Sequence, residues 1–159
     1  MQLLVSDANI LIDMEEGGLL APMFSLDCEF IIPDILYYEE LEEQHSHLLE
    51  YGLKPTTLTA NSMLKAIELV DEYRHTSRND LFALTLALQE ECPLLTGDQA
   101  LRKAAEKEQI TVHGTIWLIE ELVIKEKLSK AIARAAYEDM QKAGRRLPWK
   151  IACARLEAL

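Results

Sequence analysis

Four short apolar runs, Leu3-Leu4-Val5, Phe30-Ile31-Ile32, Leu94-Leu95-Thr96 and Ile110-Thr111-Val112, alternate with helix-length segments, and this alternation limits the possible folds more than any other feature. Each run is apolar at successive positions rather than at every second one, the pattern of a strand covered on both faces. Strands separated by helices cannot pair as hairpins. They build βαβ units, and therefore a mainly parallel sheet with helices on both sides. The expected fold is α/β, a three-layer α/β/α sandwich, with a further short strand possible at Leu58 after Pro55 and extra helices at the C-terminal end.

The intervening segments carry helix signals. Residues 9–16 read as a short helix stopped by Gly17-Gly18. Pro33-Asp34 opens a helix running to about residue 49, with Asp34 as its N-cap. Residues 60–73 place Met63, Leu64, Ile67 and Val70 at helical spacing. Ser77-Arg78-Asn79-Asp80 introduces residues 81–88, apolar nearly all round and so expected to be the most buried helix. Helices over residues 100–108, 116–126 and 129–142 follow. The chain thus reads as one domain over residues 1–143 and a tail over 144–159 that begins Gly144-Arg145-Arg146-Leu147-Pro148.

A length of 159 residues supports such a core without disulfides or a structural metal. Cys28, Cys92 and Cys153 are odd in number and match no metal-ligand spacing, which suits free buried thiols in a reducing compartment. No apolar run is long enough to span a bilayer, and the first residues lack a basic segment, so a cytoplasmic location is expected. Charge is unevenly distributed. Residues 1–98 hold 4 Lys+Arg against 19 Asp+Glu, a net of −15, whereas residues 99–159 hold 12 against 8, a net of +4. Simple nonspecific binding of a polyanion is excluded by the total of −11, but not binding through the basic end.

Open parallel sheets bind ligands at the carboxyl ends of their strands. Asp7 directly follows the first strand, Asp98 follows the strand at 94–96 by two residues, Asp80 opens the buried helix, and Glu40 lies two turns into the helix after the second strand. Four acids from separate segments are thereby expected at one edge. Gathered carboxylates repel, and a hard divalent cation relieves that repulsion. Each acid has a structural alternative: Asp80 and Asp98 as helix caps, Glu40 as a surface residue rivalled by Glu39. Asp13 is assigned to solvent and Asp34 to its cap. Asp7 resists this treatment, because a charge ending a buried strand needs a partner.

These segments also resemble the motifs of PIN domains, the fold of VapC-type toxin ribonucleases. Asp7-Ala8-Asn9-Ile10-Leu11-Ile12-Asp13 is similar to their opening D-x-N/S motif, Pro33 through Glu40-Leu41 to the second, Asn79-Asp80-Leu81-Phe82-Ala83 to the third, and Thr96-Gly97-Asp98 to the fourth, T-x-D. The resemblance spans residues 3 to about 112. It implies Mg²⁺ or Mn²⁺ held by catalytic Asp7, Glu40, Asp80 and Asp98, with Asn9 and Thr96 in supporting hydrogen bonds. Gln99 stands where some relatives have a further acid. The implied activity is endoribonuclease hydrolysis of RNA phosphodiesters, in a toxin–antitoxin setting with a cognate antitoxin and a dimeric toxin.

Two other functions are compatible with a sheet of this kind. A phosphatase would need a second acid where Asn9 stands, and a receiver an acidic pair where there is only Asp7. A non-catalytic PIN-like scaffold would bind a partner through the acidic face. His45 and His47, two apart, diverge on a continuous helix and read as surface residues, and neither they nor His75 and His113 form a ligand pattern. Trp117 and Trp149 read as packing residues. Arg145 and Arg146 are candidates for contact with RNA or a partner, or for a favourable charge after a helix.

Overall fold

The computed structural model describes residues 2–159. Five strands, β1 (Gln2–Ser6), β2 (Cys28–Pro33), β3 (Lys54–Thr56), β4 (Leu94–Leu95) and β5 (Val112–His113), form one all-parallel sheet in the order β3-β2-β1-β4-β5. Registers such as Val5 beside Ile31 and Leu94, and Leu95 beside His113, put the apolar runs in the middle of the molecule. The third strand is centred on Pro55 rather than on Leu58. Proline has no N–H for a ladder, and an edge position tolerates it. Chain order runs from β1 outward to β3 and returns to β4 on the other side of β1. The strand order therefore reverses between β1 and β4, and a crevice opens above their carboxyl ends.

Among the described residues, eleven helices cover both faces. In chain order they are α1 (Ala8–Glu16), α2 (Leu20–Phe24), α3 (Asp34–Glu40), α4 (Glu42–His45), α5 (Leu48–Tyr51), α6 (Ala60–Glu72), α7 (Arg78–Glu90), α8 (Gln99–Lys107), α9 (Thr115–Ile124), α10 (Lys130–Lys142) and α11 (Trp149–Glu157). None among the described residues is long and apolar enough to cross a membrane. Helix α7 meets the expectation of deep burial, with seven successive residues from Leu81 through Ala87 buried against β1, β2 and β4. Each of its leucines contributes about 1.5–3 kcal/mol on burial. Thr85 satisfies its buried hydroxyl by donating to the Leu81 carbonyl at 2.7 Å.

Several expectations change. The helix foreseen from Asp34 to about residue 49 is three pieces. Leu41, fully buried, leaves helical geometry (φ −121°) while still donating to the Tyr37 carbonyl and accepting from the His45 amide. A second interruption falls at Ser46-His47. Asp34 is the first residue of α3 rather than its cap, which is Pro33, and its carboxylate accepts from Ile35 N–H and the Thr57 hydroxyl. On α6 the buried positions are Ala66 and Leu69, while Leu64, Ile67 and Val70 face outward. Residues 144–159, expected as a tail, hold α11, whose Ala152 and Leu156 are fully buried and which packs on α10. Arg155 of α11 clasps the buried Glu120 of α9 with two hydrogen bonds, 2.7 and 2.8 Å. Cys28, Cys92 and Cys153 are all free, with only Cys92 buried.

Helix α1 ends where the sequence places its stop. Gly18 turns the chain at φ +69°, a conformation that disfavours a side chain. Gly17 has a different task. A Cβ there would lie 2.7 Å from the Met140 methyl and 3.3 Å from Ala136, so the missing side chain lets α10 approach α1 closely.

Candidate active site

Asp7 occupies the crevice predicted by the topology. Its amide donates to the Leu95 carbonyl across the β1–β4 junction. Its carboxylate, in a side chain only 2 % exposed, accepts from the Ile10 amide at 2.9 Å on one oxygen and from the Thr96 hydroxyl at 2.5 Å on the other. The first bond caps α1, so the expected site residue is also a helix cap. Burial pushes its pKa up to about 7, against the lowering effect of the Thr96 and Ile10 hydrogen bonds, and the charges of Asp80 and Asp13 push the same way as burial.

Thr96 joins two of the acids. While donating to Asp7, its hydroxyl accepts the Asp98 amide at 3.1 Å. Asp98 in turn caps α8 through a 2.8 Å bond from the Leu101 amide, and its side chain remains exposed at the mouth of the crevice. Because the hydroxyl sits between them, the end of β1 and the start of α8 hold one geometry. Thr96 is fully buried, as a residue with this positioning duty would be.

Asp80 lies in the first turn of α7, whose cap is Ser77, bonded to the Asp80 amide at 3.2 Å. Burial raises its pKa, the Ser77 bond lowers it, and the charges of Asp98 and Glu40 raise it further. Glu40 accepts from the Asn79 side-chain amide at 2.8 Å, while Glu39 is held by Arg78 at 2.6 Å. Glu40, not Glu39, is thus the residue whose charge reaches Asp80. The other amide atom of Asn79, Oδ1, is buried with no partner among the described residues. Asp7 feels Asp80, and Asp80 feels Asp98 and Glu40, so the four expected acids form one electrostatic group around Asp80.

The donor set is all hard oxygen with an excess of negative charge. That composition fits a hard divalent cation better than any softer one. The acids are spread rather than clenched. Among the described residues, the group of three ligand atoms lying within 4.8 Å of one another is Glu15, His45 and His47, not these four carboxylates. Mg²⁺ suits a spread site, since it retains waters and uses few direct carboxylates.

A cleft of about 380 Å³ adjoins the group, lined by Asn9, Asp13, Asp98, Arg145 and Arg146 among others. Asn9 directs its side-chain oxygen at Arg145, which donates to it at 3.1 Å and to its backbone carbonyl at 3.3 Å. Arg145 is further committed to Asp13 at 2.6 Å. Asp13, assigned to solvent from sequence, is therefore buried, and it also accepts the Thr115 hydroxyl at 2.7 Å. Its position three residues after buried Ile10 on α1 was the missed signal. Arg146 is exposed and has no ion pair among the described residues. It also borders a larger cavity, about 620 Å³, whose lining includes none of the four acids. That groove carries Arg102, Arg155 and a stacked pair, His113 over Trp117, with centroids 3.9 Å apart and planes within 9°. The two cavities share Gly97, Arg146 and Leu147. Trp149 has the packing role expected of it, tilted against Tyr137.

No curated protein matches the chain. A model of the PIN-domain family DUF3368 matches residues 3–159, including the C-terminal helices that the motif resemblance did not reach. PIN domains are generally nucleases, and they typically use divalent metals. With its all-parallel sheet and a match over nearly its whole length, the chain belongs to the PIN-domain family.

Proposed function

We propose that this chain is an endoribonuclease that hydrolyses RNA phosphodiesters with Mg²⁺ or Mn²⁺ held by Asp7, Glu40, Asp80 and Asp98. The observation that supports it is a pair of hydrogen-bonded links, Thr96 between Asp7 and Asp98, and Asn79, beside Asp80 in the first turn of α7, to Glu40, with Asp7 at the crevice where the strand order reverses. When bound, the cation supplies activation of water and neutralisation of charge on the phosphodiester. The protein's own contribution is preorganisation. Thr96 and the Ile10 amide lock Asp7 in one rotamer, Asn79 steers Glu40, and the Leu101 amide steers Asp98. Asp7, with its pKa near neutrality, can hold a proton when no cation stands beside it.

On its approach substrate would meet Arg146, which borders both the acidic cleft and the larger groove, while Trp117 packs on the core with His113 stacked on it. RNA as the substrate, a toxin–antitoxin role, dimerisation and a cognate antitoxin covering the acids with a basic side chain rest on the likeness to VapC-type proteins.

The test is cleavage of a mixed RNA panel with Mg²⁺, with Mn²⁺ and with chelator, beside the Asp98→Asn variant. Asn is as good a helix cap as Asp, so α8 keeps its start while the site loses a charge. Cation-dependent cleavage absent from the variant supports the proposal. Equal cleavage by both proteins removes Asp98 from the site. Saturable cation binding without cleavage of any RNA would favour a non-catalytic scaffold.

A further inference from the structure

A second group of side chains has the donors of a metal site and lies outside the crevice. Glu15, in the last turn of α1, is eight residues beyond Asp7, about 12 Å along the helix axis at the usual rise. Its Oε2 contacts His45 Nδ1 at 2.6 Å, and its Oε1 contacts His47 Nε2 more closely still. One ligand atom from each residue lies within 4.8 Å of both others. We propose that Glu15, His45 and His47 form a site for a borderline divalent cation of the Zn²⁺ class.

The backbone explains how the three converge. On a continuous helix, residues two apart point in nearly opposite directions. The expectation that His45 and His47 are unrelated surface residues therefore fails: Ser46 and His47 keep right-handed dihedrals, but their carbonyls accept from amides three residues on, those of Leu49 and Glu50, and this tighter 3₁₀-like turn brings residues two apart closer in direction. The turn brings both rings to one carboxylate, with centroids 6.0 Å apart. A single ion pair with Glu15 would need only one imidazole. Two cationic imidazoles on one carboxylate repel each other, and two neutral ones gain little from it. A dication bound by both neutral rings and the carboxylate satisfies all three.

Two imidazole nitrogens and one carboxylate oxygen are a donor set that Zn²⁺, Co²⁺ or Ni²⁺ prefers and Mg²⁺ does not. The site is accessible without being fully exposed. Side-chain exposure is 18 % for His45, 24 % for Glu15 and 42 % for His47, so water can complete the coordination. Its structural effect is a clip. It ties the end of α1 to the segment that follows α3, and α3 carries Glu40 to the acid group. The inference stands whether or not the crevice is a nuclease site.

The experiment is Co²⁺ titration of untagged full-length chain, followed by the visible absorption of four- or five-coordinate Co²⁺. The expected result is a saturable band at one ion per chain that persists under excess Mg²⁺ and in Asp98→Asn, and that Zn²⁺ displaces. His47→Ala, at the most exposed position, should abolish the band, and Glu15→Gln should do so by a different route. Zn²⁺ should raise the melting temperature of the wild type and leave that of His47→Ala unchanged. No saturable band, or one that survives both substitutions, overturns the proposal. A band lost in Asp98→Asn but kept in His47→Ala assigns the ion to the crevice and also overturns it.

Discussion

Replacing Asp7 by Asn should stabilise the metal-free protein at alkaline pH, although it removes a residue placed at the heart of the site. In the folded chain the Asp7 pKa is pushed from 3.8 to about 7, chiefly by burial. Between those values the folded state keeps a proton that the unfolded state has lost, so stability falls as pH rises and the deficit is complete above pH 7. The displacement corresponds to about 4 kcal/mol. Asn keeps the acceptor for the Ile10 amide, but its NH₂ would face the Thr96 hydroxyl, which must then reorient away at a cost of about 1 kcal/mol. The net expectation is a variant more stable than wild type by about 3 kcal/mol at pH 8, and slightly less stable near pH 4. Asp80, also raised and relieved of one repelling neighbour, leaves the variant a residual pH slope. Urea unfolding in chelator across pH 4–8 measures both proteins. A variant that declines with pH as steeply as wild type, or is less stable at pH 8, would refute the electrostatic reasoning.

Four further outcomes are expected. Mg²⁺ or Mn²⁺ should raise the melting temperature of wild type and hardly change that of Asp98→Asn, while the two melt alike in chelator because the α8 cap survives. Arg145→Ala should lower stability by about 3 kcal/mol in denaturant titration, because Asp13 stays buried and loses its cation. Arg146→Ala should leave stability unchanged but weaken RNA binding and reduce its salt slope by about one counterion, as read from binding against salt concentration. Gly17→Val should cost about 1–3 kcal/mol on urea unfolding, since its Cβ meets Met140 and Ala136 where α1 and α10 touch.

The parallel sheet was legible because its strands are unbroken apolar runs separated by helices, and the positions of Asp7, Asp80 and Asp98 because each follows or opens one of those elements. Glu40 was preferred to Glu39 from the motif resemblance alone, and in three dimensions Arg78 and Asn79 sort the two carboxylates between them. What stayed hidden lacked periodicity. Helix α2 spans five residues with Pro22 inside it, too few for a pattern. Helix α11 buries only Ala152 and Leu156, a stripe too narrow to stand out, although Pro148 marks its start. The Glu15, His45 and His47 group depends on a turn at Ser46-His47 that no glycine or proline announces. Asp13 was misassigned because its partner Arg145 lies 132 residues away.

If Asp7, Glu40, Asp80 and Asp98 act as one catalytic unit, single-turnover RNA cleavage by each single amide variant and by the quadruple variant will show it. Groups that act together are strongly non-additive. Each single substitution should lower the rate by at least about a hundredfold, and the quadruple variant should be little worse than the poorest single one. Rate losses that are small and simply multiply across the four positions would contradict it.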